Sequence, residues 1–363
     1  MTRPVLYTGD IFRLQARGGI SRYFVEVIRR LERPARVLAG LHQSAMLGAL
    51  GSRVTRALYL PGGRGSARLR ALVNRGVDAA LPAAGGGILH PTYYRDPERL
   101  PLRAPVVATV HDMAHERLPQ HFRRPWWKAR DPAGWKAALC ARADLIVCVS
   151  ESTRRDLVEL LDVPASKTRV IHHGSLDWSG IRAAPIAGLE RPFLLWVGER
   201  QGYKNFERTL RAWAGSRAAA GTALLCAGGG ALGGAERDSI ARAGAAGRVL
   251  QRDCGDAELR WAYEHAAGLL YTSLCEGFGL PILEAMALGC PVVAAQASSL
   301  PEVGGEAALY VDPTDEAAIA AGIERCLSEG RAAPRAALLA AQAARFTWEA
   351  AAAAHERLYR ELD

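Results

Sequence analysis

Two glutamates, Glu276 and Glu284, stand with seven residues between them in the run Glu276-Gly277-Phe278-Gly279-Leu280-Pro281-Ile282-Leu283-Glu284. A β-rich apolar run ends near Thr272 and a glycine-flanked turn follows. Pro281 suits the first position of a helix that stops at Gly289, which sets Glu284 in its first turn. Glycines at 277 and 279 let backbone approach a ligand closely, and the N–H groups that open a helix suit a phosphate. Carboxylates on either side of such a phosphate accept hydrogen bonds from sugar hydroxyls.

A second cluster is Gly198-Glu199-Arg200-Gln201-Gly202-Tyr203-Lys204-Asn205, directly after the apolar run Phe193–Val197. Open α/β sheets bind ligands at the carboxyl ends of parallel strands, and that is where Arg200 and Lys204 fall. Two cations there can neutralise a diphosphate as negative charge develops on it. In the front half, Asp10 to Ser21 passes through Gly18-Gly19 into a helix that starts near Ser21. The turn can accommodate phosphate, but it lacks the G-x-G-x-x-G spacing of a dinucleotide site. His111 closes another strand-like run, either as a ligand-cleft residue or as a hydrogen-bonded core histidine. His172-His173-Gly174 reads as a turn, since adjacent histidines point apart and no third ligand is spaced to hold a metal.

These residues need strands to carry them. Short apolar runs alternate with segments of helical period, the pattern of βαβ units and parallel sheets. The front half offers Val5–Tyr7, Val106–Val110, Leu145–Val149 and Arg169–His172. The back half offers Phe193–Val197, Ala223–Ala227, Arg248–Leu250, Gly268–Thr272, Pro291–Ala295 and Ala308–Val311. The fold class expected is therefore α/β with two doubly wound Rossmann-like domains. The Gly- and Pro-rich stretch Gly174–Pro192 joins them, giving domains 1–178 and 179–345. A terminal helix, 346–363, is capped by Thr347 and rich in alanine.

Composition narrows the classes further. Of 363 residues, 49% are hydrophobic and 23% charged, which excludes wholesale disorder. No apolar run reaches membrane-spanning length, and the N-terminus accumulates no signal-peptide core, so a cytoplasmic location is expected. Seven cysteines without regular spacing read as reduced and buried. The net charge of +9 rests on 42 Arg and 4 Lys and is unevenly placed: residues 1–180 hold 28 basic against 15 acidic residues, the remainder 18 against 22. No acidic residue occurs from Arg33 to Val77, and residues 121–130 mix cations with Trp126 and Trp127. An anionic membrane surface fits arginine beside aromatic residues. No recognisable nucleic-acid-binding module accompanies the charge, so nucleic acid is not expected as a partner.

Taken together, Gly18-Gly19-Ile20-Ser21-Arg22-Tyr23, Thr109-Val110-His111-Asp112, Ile146 to Thr153, Trp196 to Arg200 with Lys204-Asn205, and above all Glu276 to Ala287 make the chain resemble a retaining GT-B glycosyltransferase of family 4. The resemblance spans nearly the whole chain. It implies a nucleotide-sugar donor on the back domain, an acceptor on the front domain, chemistry in the cleft between them, and a terminal helix crossing back to the front. Arg200 and Lys204 would hold the diphosphate and Glu284 the ribose. Glu276, with the backbone of Gly277, Phe278, Gly279 and Leu280, would meet the transferred sugar. His111 would contact that sugar from the front, and Gly18-Gly19 would border the phosphates. The family needs no metal or other cofactor, and the chain offers no Asp-x-Asp pair. A saccharide or lipid-linked acceptor at the inner face of the membrane, in bacterial surface polysaccharide assembly by, for example, mannosyl transfer, is what the resemblance and the basic front half suggest. Competing readings are another enzyme on this fold, such as an epimerase or phosphorylase, and a basic polyanion-binding protein.

Overall fold

Among the described residues there are thirteen strands, every pairing among them parallel, and the central ones are buried along most or all of their length, as strands covered by helices on both faces must be. A computed structural model of the chain describes residues 2–61, 66–79, 86–96, 98, 100, 103–122, 132–189, 191–331 and 333–363. It divides into two units: Met1–Glu116 with Arg124–Gly174 and Thr347–Asp363, and Ser175–Phe346 with Arg117–Arg123.

The first unit holds β1 (Val5–Thr8), β2 (Ala35–His42), β3 (Val54–Tyr59), β4 (Ile88–His90), β5 (Val107–Val110), β6 (Leu145–Cys148) and β7 (Thr168–Val170). Hydrogen bonding orders them β3-β2-β1-β4 and β5-β6-β7, and a parallel bridge between Leu89 and Val106 links β4 to β5. Sequence reading anticipates β1, β5, β6 and β7 but not the other three. β2 carries Arg36 and Gly40 inside it, β3 is an edge strand, and β4 has three residues, so none presents a sustained apolar pattern. The terminal helix Trp348–Arg360 belongs to this unit, capped by the Thr347 side chain and packed on the helix Gly19–Arg30. Its Tyr359 hydroxyl bonds Tyr7 Oη (2.6 Å) and His90 Nδ1 (2.7 Å), and its His355 Nε2 meets Tyr23 Oη at 2.8 Å.

The second unit holds β8 (Phe193–Val197), β9 (Ala223–Ala227), β10 (Val249–Arg252), β11 (Gly268–Tyr271), β12 (Val292–Ala295) and β13 (Leu309–Val311), ordered β10-β9-β8-β11-β12-β13. Each lies within a residue or two of its expected place. Leu194, Trp196, Phe206 and Trp213 anchor the core between the sheet and the helices Phe206–Gly215 and Glu316–Glu329. The connecting stretch lies along this unit. Trp178 is buried edge-on to Tyr263 at 5.9 Å, and Arg260 donates to the carbonyls of Trp178 and Ile181.

All seven cysteines are free, and six are buried. Burial pushes the thiols of Cys140, Cys226, Cys290 and Cys326 up to about 12, which makes them inert packing groups. The cation-aromatic run at 123–130 lies outside the described residues.

Candidate active site

In the second unit the strand order reverses between β8 and β11, and a crevice opens beyond the carboxyl ends of such a pair. The loop leaving β8 carries Lys204 on a short 3-10 turn, Gly202–Lys204. Asn205 follows in the left-handed region (φ 68°), and its side-chain amide donates to the carbonyls of Thr272 (3.0 Å) and Pro313 (2.7 Å). These two hydrogen bonds pin the turn to the ends of β11 and β13. Across the switch point, Lys204 Nζ meets Glu276 Oε1 at 2.7 Å, joining the two loops by an ion pair. Burial works against the Lys204 charge, but the Glu276 carboxylate, with Tyr271 and Tyr203 nearby, overrides it and holds the ammonium well above its usual range.

The loop bearing Glu276 is fixed from behind. Glu276 N–H donates to Ser298 Oγ (2.8 Å), and Ser299 Oγ donates to the carbonyls of Glu276 and Phe278, at 2.9 Å each. The Phe278 ring is buried, edge-on to Phe346, which leaves the backbone of Gly277–Leu280 as the part able to face a ligand. Gly279 caps the helix Leu280–Ala287 at φ 109°, a conformation that strains any side chain, and a Cβ there would lie 2.9 Å from Leu300 Cδ2. Pro281 takes the second helical position. Glu284 is the fifth residue of the helix and not, as expected, in its first turn, because the helix opens immediately after Gly279. Its buried carboxylate accepts from Tyr263 Oη at 3.0 Å.

Arg200, expected at the phosphates, is engaged elsewhere. Its buried guanidinium donates to Glu236 Oε1 (2.8 Å) and to the carbonyls of Gly228 (2.6 Å), Gly229 (3.2 Å) and Gly230 (2.8 Å). Those three glycines all have positive φ, and the arginine holds the turn they form after β9. Arg200 thus shapes a neighbouring loop of the crevice, while Lys204 carries the charge at the switch point.

The remaining residues of interest, His111, Gly18 and Gly19, lie in the first unit. The His111 ring follows β5, edge-on to Tyr23 (5.3 Å) and Phe24 (5.7 Å), and neither ring nitrogen has a hydrogen-bond partner among the described residues. Burial pushes it down to about 4, so it is neutral at pH 7. Gly18 caps the helix Gly19–Arg30 that supplies Tyr23, so the helix begins two residues before Ser21. This sheet reverses between β1 and β4, and a cavity of about 490 Å³ opens beside the segments that follow them, lined by Asp10, Arg13, Asp78, Arg95, Tyr93 and Trp135 among others. Asp78 pairs with Arg13 (3.0 Å) and Arg95 (3.2 Å), and Arg95 also reaches Asp10 at 3.2 Å.

Sequence reasoning misses Ser298, Ser299 and Arg95, and it names Asn205 without its bracing role. The signal for the first two was available, since they follow β12 at the same end of the sheet as the other loops. Among the described residues no three His, Cys, Asp or Glu side chains converge as a metal site requires.

Two parallel-sheet α/β units, each with a topological switch point, are those of the GT-B architecture, and solved structures agree. The chain resembles sucrose-phosphate synthase from Thermosynechococcus elongatus, with a TM-score of 0.74, 21% identity and 99% of each chain covered. It also resembles Anabaena HepE in complex with UDP and glucose, with a TM-score of 0.73, 19% identity, and 98% of this chain and 99% of that one covered. The family described as Glycosyltransferase Family 4 matches residues 17–175, and that described as Glycosyl transferases group 1 matches residues 191–329. The chain belongs to the family 4-type glycosyltransferases. A stretch of 96 residues is 38% identical to O-antigen chain mannosyltransferase B of Escherichia coli, covering 26% of this chain and a quarter (25%) of that protein. No helix of the described residues is long and apolar enough to cross a membrane.

Proposed function

We propose that the protein transfers a sugar, with retention of anomeric configuration and without a metal, from a nucleoside-diphosphate sugar to a saccharide or lipid-linked saccharide. The observation that carries this is the Lys204–Glu276 ion pair at the switch point, beside the helix that opens at Gly279. Lys204 meets the diphosphate, Glu276 accepts from a hydroxyl of the transferred sugar, and Glu284 accepts from the ribose. Neutral His111 is the first unit's group for the sugar, with one ring nitrogen to donate and one to accept. In the transfer the bond from the anomeric carbon to the leaving phosphate oxygen breaks on the face where the acceptor oxygen bonds. The acceptor proton passes to the leaving phosphate, and Lys204 stabilises the charge that develops there. HepE was solved with UDP and glucose, which supports a nucleotide-sugar donor. The partial likeness to an O-antigen chain mannosyltransferase supports mannosyl transfer in the assembly of a surface polysaccharide.

The test is release of nucleoside diphosphate from UDP-, GDP-, ADP- and dTDP-sugars with saccharide and lipid-linked acceptors, with NMR of the product linkage. A new glycosidic bond of the donor's configuration is expected. Inversion contradicts retention, an epimerised donor or phosphorolysis contradicts transfer, and activity abolished by chelation contradicts metal independence.

A further inference from the structure

Lys136, on the helix Pro132–Arg142 of the first unit, has none of its side chain exposed. Its Nζ donates to Glu116 Oε2 (2.7 Å) and to the carbonyl of Asp112 (2.8 Å), and lies 3.9 Å from Met113 Sδ. The same Nζ stands over the Tyr94 ring, 5.2 Å from its centre. Stability alone does not call for a charge here, because replacing a buried ion pair by well-packed side chains of like volume is often neutral or stabilising. Apart from Tyr94, all of these partners belong to one short segment, the turn that leaves β5 directly after His111.

That turn is held on both sides. His111 N–H donates to Tyr94 Oη (3.2 Å), so the residue under the lysine also anchors the backbone where the turn begins. The Asp112 side chain accepts from Ala114 N–H (3.1 Å) at the start of the helix Ala114–Arg117, which carries Glu116 to the lysine. The His111 ring rests on Tyr23 and Phe24. Tyr23 is fixed in its turn: His355 Nδ1 donates to the Ala351 carbonyl (2.8 Å), which leaves its Nε2 to accept from the Tyr23 hydroxyl (2.8 Å). Backbone and ring of His111 are thus both braced, while its two nitrogens bond nothing among the described residues. A buried ring that is held but unpartnered can satisfy its nitrogens on a ligand.

We infer that Lys136 is a positioning residue: through the Asp112 carbonyl, Glu116 and Tyr94 it locks the turn after β5 so that the His111 ring presents its nitrogens to the transferred sugar. The inference rests on the reading of His111 as the first unit's group for that sugar. The lysine's charge bears on the same ring. Burial lowers His111 most, Asp112 raises it, and the Lys136 cation lowers it further. The other titratable groups around the ring, Tyr23, Tyr94, His90 and His173, are kept uncharged by burial. The test uses the full chain with Lys136→Met and with Lys136→Met/Glu116→Gln. The double variant leaves no unpaired buried charge and is expected to melt with the wild type. Both variants are expected to lower kcat by up to about 100-fold, the cost of a misplaced reacting group. Donor KM stays unchanged, because the donor crevice belongs to the second unit. His111 is followed separately by NMR of its ring as the pH falls. In the wild type it stays neutral down to about 4, whereas in Lys136→Met it takes up its proton at a higher pH, which a lysine serving only to fill space would not cause. Wild-type turnover by the double variant, donor KM rising in step with the loss, or an unmoved His111 titration would overturn the inference. A wild type that releases no nucleoside diphosphate would refute the transferase reading, and the titration alone would then decide whether Lys136 governs the ring.

Discussion

Lys204 pairs with the Glu276 carboxylate across the switch point, and the proposed donor chemistry rests on it. Lys204→Ala is expected to lower kcat by roughly 10²–10³, as loss of a donor to developing charge does elsewhere; unchanged single-turnover rates would remove the lysine from the reaction. Arg200 works differently. Removing it strips four bonds from Glu236 and the Gly228–Gly230 carbonyls, and Arg200→Ala should destabilise by about 3–5 kcal/mol, the range for breaking a buried ion pair. Arg200→Lys should not rescue it, because an ammonium cannot spread its donors over three carbonyls and a carboxylate. Urea unfolding of the two variants checks both statements. The sequence shows two cations after β8 but not their different partners. Those of Arg200 lie 28 to 36 residues on and those of Lys204 72, distances closed only by the sheet.

At the scale of elements, strands of the second unit are legible because all but the half-buried edge strand β10 are compact, apolar runs buried along nearly their whole length. In the first unit β2, β3 and β4 escape the same reading, since an internal arginine and glycine, an exposed edge and a three-residue length all break the apolar pattern. The loop after β11 is legible from its glycines and proline, whereas the serines that brace it belong to another strand's end. The helix Leu280–Ala287 depends on Gly279 at φ 109°. Gly279→Ala is expected to cost about 1–3 kcal/mol of backbone strain and to weaken nucleotide-sugar binding through displacement of the 276–280 backbone. Thermal unfolding with and without donor separates the two effects.

For the whole molecule, the +9 charge resolves into a basic first unit and a nearly neutral second, and the fold adds a set of buried histidines that the sequence does not advertise. Burial pushes His111 and His355 down to about 4 and lowers His90 and His173 as well. The folded chain keeps them neutral, while the unfolded chain takes up protons near pH 6.5. Between those values the unfolded state binds more protons, so stability is full above pH 6.5 and falls as the pH drops toward 4. For His111 and His355 the loss is on the order of 3 kcal/mol each. A melting temperature flat from pH 6.5 to 4 would contradict this burial. The most direct test of the central claim, a nucleotide-sugar donor held at the β8–β11 switch point, is thermal unfolding of the wild-type chain and of Lys204→Ala and Glu284→Ala with UDP-, GDP-, ADP- and dTDP-sugars. One donor at about 100 times its Kd should stabilise the wild type by about 2.7 kcal/mol and leave both variants almost unmoved. A donor that stabilises all three equally, or no stabilisation of the wild type by any of them, would contradict it.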